Sequence, residues 1–280
     1  MCLAALVAAL GTTLLHLGVR AENVDLNAPP ATAAEQARQD LAIKAHRIAA
    51  SAELSTSDTT LAESAQAWEK ALGGVWVPWP EGAPEGYANP ELELGPYDSL
   101  AALDTAVWDF SQRIAQSDAL FATEDAEGGD GAAASTDSVQ TKLTYESMQH
   151  AIILDRELGA STTCPEVDTE ALITAIHASA DFISEIETAR QWIEYGAATA
   201  SEASADQIAD MAILQQPIDA ALAAGVADTR PVMVAPPTEQ SSALELTHTA
   251  VTKLIYGAPT KASTQAAISY ACALQLELGW

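Results

Sequence analysis

Residues 168–200 read DTEALITAIHASADFISEIETARQWIEYGAATA. Leu172, Ile176, Ser179, Ile183, Ile186 and Ile193 succeed one another in steps of three, four and seven, the spacing that lines one face of a helix. The stretch is predicted as a single long amphipathic helix over 168–200. Arg190 falls near the buried side of that face, and an acid on a neighbouring helix is its expected partner, with an anionic ligand as the alternative. His177, Asp181 and Glu185 form a polar stripe opposite the apolar seam, read as a solvated face.

Working outward, the same periodicity predicts helices over 32–53, 59–72, 98–123, 138–158, 204–225, 238–256 and 259–278. Asp58 is the expected N-cap of the second helix, and Gly73-Gly74 stop it. Ser204 and Gln207 form a capping box, and Pro217 is expected to kink or divide the helix it lies in. The acidic, glycine-rich stretch 124–138 reads as a flexible loop; it lacks the ligand alternation and closing Glu of a calcium loop. No long alternating pattern of strand type is present. The predicted class is all-α: a helical bundle over 97–280, preceded by a helical hairpin over 28–74 and a Pro/Gly/Trp-rich extended connector over 75–96.

Composition narrows the functions open to such a fold. Asp and Glu number 39 against 12 Lys and Arg, a formal charge of -27, which argues against nucleic-acid binding because phosphates need a basic surface. A basic partner, cations or plain solubility remain compatible. Aromatics are only 5% of the chain although 49% is hydrophobic, so the core is expected to be built by close approach of alanine-rich helices.

Residues 1–21 open with an apolar run, Cys2 to Val19, followed by Arg20 and then an acidic, polar sequence. The segment reads as a signal peptide with a Val19-Arg20-Ala21 exit, or as a retained single-pass membrane anchor. Either reading exports the rest of the chain to the envelope or the exterior. Cys164 and Cys272, the two cysteines beyond the leader, are a disulfide candidate in such an oxidising compartment, or two buried thiols.

The connector VWVPWPEGAPEGYANPELELGP, residues 75–96, carries Trp76, Trp79 and Tyr87 on proline-stiffened chain. Its rings either pack onto the helices or form a surface for a partner. For inward-facing chemistry, the candidate metal ligands are Glu245 and His248, in the single Glu-x-x-His of the chain that a di-iron carboxylate site would need twice, with Glu146 and His150. Nucleophile elbows, phosphate-cradling loops and cofactor motifs are all missing from the sequence. The sequence therefore points to a non-enzymatic extracytoplasmic protein, an interaction or accessory subunit with protein partners at or near a membrane and no cofactor. The alternative is a ferritin-like bundle that binds a metal or small ligand.

Overall fold

The computed structural model describes residues 31–79, 81–82, 85, 88–117, 120, 130–199, 205–234 and 241–279. The leader, Tyr87 and the Ser204 cap lie outside the described residues. Nine α-helices are found among the described residues, with no strand: α1 Ala33–Ser51, α2 Leu61–Ala71, α3 Leu100–Gln116, α4 Asp130–Leu158, α5 Thr169–Ala178, α6 Phe182–Thr199, α7 Ala205–Ala223, α8 Ser241–Gly257 and α9 Lys261–Leu278. No helix among the described residues is long and apolar enough to cross a membrane.

Helix starts follow side-chain chemistry. Thr32 and Glu35 exchange hydrogen bonds at the start of α1, the Ser99 side chain accepts from Ala102 N–H at α3, and Asp168 accepts from Ala171 N–H at α5. Thr260 and Ser263 cap α9 reciprocally. Each satisfies an amide donor that the first helical turn leaves without an internal acceptor. At the other end of α3, Gln140 Nε2 donates to the Ile114 and Ser117 carbonyls, both at 2.7 Å, so a side chain of α4 stops α3 where its own ladder ends.

Several sequence expectations are corrected. The segment 168–200 is two helices rather than one: Ser179 takes an extended backbone (φ -106, ψ 95), and α6 starts afresh at Phe182. The seam spacing misses this because Leu172 and Ile183 are separated by three full helical turns, so the stripe stays in phase across the break. Ser179 is then a C-cap and no member of the seam, and the His177–Asp181–Glu185 stripe is not a continuous helical face. Helix α4 begins at Asp130, inside the stretch expected to be a loop, where the Ala132–Ala134 run has the highest helix propensity available. Pro217 lies inside α7 and does not divide it. Helix α2 begins three residues after Asp58, and the carboxylate of Asp58 is committed elsewhere.

The apolar core falls into two clusters. The first joins α1 and α2 (Leu41, Ile48, Leu61, Trp68) to α3 (Leu103, Phe110, Ile114) and one side of α4 (Leu143, Ala151, Leu154). Trp68 stacks on Phe110 at 5.0 Å in its centre. The second joins α5 to α9 around Phe182, Ile186, Ile218, Leu254 and Leu274, and takes Tyr145, Met148 and Ile152 from the opposite side of α4. Thus α4 is the wall common to both clusters. The core divides along this helix, and the hairpin and α3 share one apolar cluster. Trp108 packs against both clusters from α3.

Candidate functional site

The cysteines supply the first firm point. Cys164 and Cys272 are joined in a disulfide that spans 108 residues and ties the connector before α5 to the middle of α9.

The connector ties a wall of a cleft in place. Between α3, α4, α9 and residues 161–168 the fold encloses about 590 Å³, lined by Trp108, Met148 and Ile268 on the apolar side and by Asp155, Glu166 and Asp168 among its polar groups. Asp155 is buried, 7% exposed. Its Oδ2 accepts from Trp108 Nε1 (3.0 Å) and from Thr162 Oγ1 (2.8 Å), and neither donor takes Oδ1. One turn before Trp108 on α3, Asp104 has a buried Oδ1 without a hydrogen-bond partner among the described residues. Burial first, and then the charge of Asp155, push the Asp104 carboxyl up to about 6. A smaller adjoining cavity of about 270 Å³ lies toward Tyr256 and Lys261 and shares Ala115, Thr144, Gln265 and Ile268 with the cleft. The Gln265 Nε2 hydrogen bond to the Ala115 carbonyl, 3.1 Å, links two of these shared residues.

A second polar constellation is wholly structural in its connections. His150 Nδ1 and Asp58 Oδ2 lie 2.5 Å apart, both residues buried. The other oxygen of Asp58 accepts from Thr60 N–H and Thr60 Oγ1, each at 3.2 Å. Burial raises the Asp58 carboxyl, but the His150 hydrogen bond and charge, aided by Thr60, outweigh it and leave the group below the usual carboxylate range. Seven residues along α4, Glu157 grips the same loop: it accepts from Ser55 Oγ (2.5 Å), Thr56 N–H (2.7 Å) and Thr56 Oγ1 (2.6 Å). The Ser55 and Thr56 donors hold its carboxyl at about 2.

These connections decide where the candidate metal ligands sit. His150 faces Asp58 and the edge of Trp68, at 5.4 Å between rings. Glu146 accepts from Trp68 Nε1 at 3.2 Å and lies 3.7 Å from Lys142. Glu245 is exposed on α8, and His248 Nε2 is 3.5 Å from Gln149 Nε2. Among the described residues no group of three or more His, Cys, Asp and Glu side chains could hold a metal ion.

The candidate contact residues meet a recurring device. Gln39 accepts from Trp76 N–H (3.0 Å) through Oε1 and donates to the Trp76 carbonyl (2.8 Å) through Nε2. Asn89 does the same to Trp79, at 2.9 and 2.7 Å. A side-chain amide thus replaces the strand neighbour that an extended backbone would otherwise need. Trp76 is 58% exposed, Trp79 is half-buried, and the end of the connector is held by Arg47, whose Nε donates to the Gly95 carbonyl at 2.9 Å.

A third instance of the device lies on α6, at residues that carry no motif in the sequence. Gln191 on α6 accepts from Val234 N–H (3.2 Å) and donates to the Pro231 carbonyl (3.1 Å). Between these two anchors Val232 is 100% and Met233 86% exposed, with Tyr195 56% exposed on α6. Beside them Arg190 pairs with Glu187 (2.8 Å) and Glu194 (3.1 Å), acids of its own helix and not of a neighbour, and Arg230 pairs with Asp228 at 2.7 Å. Tyr195, Val232 and Met233 together with both arginines line one open surface depression. The RPVMV run at 230–234 was available as a signal, since apolar side chains on a proline-marked connector have no helix face to hide on.

No family model, no curated protein and no solved structure matches this chain.

Proposed function

We propose that this chain is a non-enzymatic extracytoplasmic protein, an interaction or accessory subunit that offers a fixed apolar strap to a protein partner at or near a membrane. The observation that carries the reading is Val232 and Met233, fully and 86% exposed on backbone that Gln191 holds at both ends. An exposed apolar pair on a pre-ordered segment loses water on docking with little further loss of chain freedom. Its surroundings have the composition of an interface, an apolar centre with Tyr195 and a rim of ion pairs through Arg190 and Arg230. Trp76, clamped in the same way by Gln39, offers a second anchor. The disulfide supports an oxidising location, and the charge of -27 favours a partner with a basic rim.

The test is site-specific photo-crosslinking in cells that express the full chain, followed by purification from the membrane fraction in mild detergent. A cross-linking residue at Met233 is expected to give one discrete adduct, which Val232→Asp abolishes, while the same residue at Glu245 gives none. A chain that elutes alone and monomeric, or that yields identical adducts from both positions, overturns the proposal.

A further inference from the structure

The cleft behind the disulfide has a chemistry of its own. Its volume, about 590 Å³, is of the size that encloses a small organic ligand, roughly 300–1,000 Å³. Trp108, Met148 and Ile268 form an apolar surface, and the charged side chains in its wall are all acidic: Asp155, Glu166 and Asp168. Asp155 is the informative group. A carboxylate buried to 7% exposure is ordinarily matched by a cation, yet among the described residues Asp155 makes no ion pair, and its two neutral donors both take Oδ2. Its charge in turn helps to raise the carboxyl of Asp104, whose buried Oδ1 has no hydrogen-bond partner among the described residues. A buried acid without an ion pair among the described residues, in the wall of a cavity of ligand size, leaves the compensating positive charge to come from what enters the cavity.

We propose that this cleft binds a small organic cation, an amine carrying an apolar body, with the ammonium group against Asp155 and the body against Trp108, Met148 and Ile268. The indole adds attraction for a cation lying close to its ring, and the Trp108 hydrogen bond to Asp155 fixes the ring and the carboxylate relative to each other. Thr163 and Pro165, in the cleft wall, flank Cys164, so the disulfide to Cys272 holds that wall onto α9 before any ligand arrives. The acidic field of the whole molecule concentrates cations around it, and the cleft adds an apolar seat.

Calorimetric titration of the full, oxidised chain with phenethylammonium, 2-phenylethanol and 3-phenylpropionate tests this. Phenethylammonium is expected to saturate one site, the alcohol to bind about tenfold more weakly or worse, and the anion to give no saturable heat. Asp155→Asn and Glu166→Lys should each weaken the cation about tenfold, whereas Asp40→Asn, an acid removed from the exposed face of α1, should change nothing. Glu166 is exposed and makes no hydrogen bond to another of the described residues, so its variant reports on the cleft even where loss of Asp155 disturbs Trp108. Equal affinity for all three probes, no saturable heat from the cation, or an unchanged titration of Glu166→Lys overturns the assignment.

Discussion

Opening the Cys164–Cys272 disulfide should lower stability by an amount that loop length sets. The bond closes a segment of 108 residues, and in the chain-entropy treatment such a closure restricts the unfolded chain by about 5 kcal/mol. Small domains are stable by only about 5–15 kcal/mol, so the loss is a third or more of the total. Native contacts should change little on reduction, because Cys272 is fully buried in the second apolar cluster and its thiol stays packed there. The assay is urea unfolding of oxidised chain, chain reduced with a phosphine, and the Cys164→Ala/Cys272→Ala double variant, each followed by far-ultraviolet circular dichroism. The midpoint is expected to fall in the second and third samples, and the urea dependence to steepen as the unfolded chain expands. The reduced parent isolates the cross-link from the packing lost with the sulfurs. A difference under about 1 kcal/mol between oxidised and reduced chain, with unchanged slopes, would refute the argument that this bond acts through the unfolded state.

Two carboxylates give pH-dependent predictions of opposite sign. Glu157, held at about 2 against an ordinary 4.5, contributes stability that is complete above the ordinary value and is lost as pH falls toward 2. Glu157→Gln should therefore cost about 1 kcal/mol at pH 7, a figure reduced for solvent access, and less at pH 3; an equal loss at both would show that the Ser55–Thr56 grip does not depend on charge. Asp104, raised from 3.8 to about 6, is the reverse case, since its charged form is disfavoured in the fold and stability declines as pH rises through that interval. Asp104→Asn should raise the melting temperature at pH 7.5, by about 1 kcal/mol of stability after screening, and leave it unchanged at pH 4; a destabilised variant at pH 7.5 would contradict this account of the pair with Asp155.

Much of the helical layout was legible in the sequence because caps and seams are local. Thr32 and Thr260 sit where the helices begin, and Gly159 and Gly225, with φ of 66° and 88°, follow the ends of α4 and α7. The break at Ser179 was not legible, because a kink that preserves phase leaves no trace in an apolar pattern. Nor was the engagement of His150 and Glu146. Glu146 and His150 stand four residues apart, not the three of a Glu-x-x-His motif, and Asp58 and Trp68 arrive from the hairpin, 92 and 78 residues away, and take both side chains. The sequence left open whether Trp76 packs onto the helices or faces outward; Val232 and Met233 lie between predicted helices, and the clamp that holds them out is a glutamine on another element.

The sequence by itself determined the all-α class, through apolar spacing and caps that are local in the chain, and the acidity that argues against a phosphate-binding role, a sum over residues that needs no knowledge of neighbours. It narrowed the cysteines to a single candidate pair beyond the leader. Only the tertiary structure decided that the pair is bonded, that α4 serves two cores, and that Asp155 lies buried in the wall of a cleft without an ion pair among the described residues. Those are outcomes of distance between segments remote in the chain, and local propensity carries no information about distance.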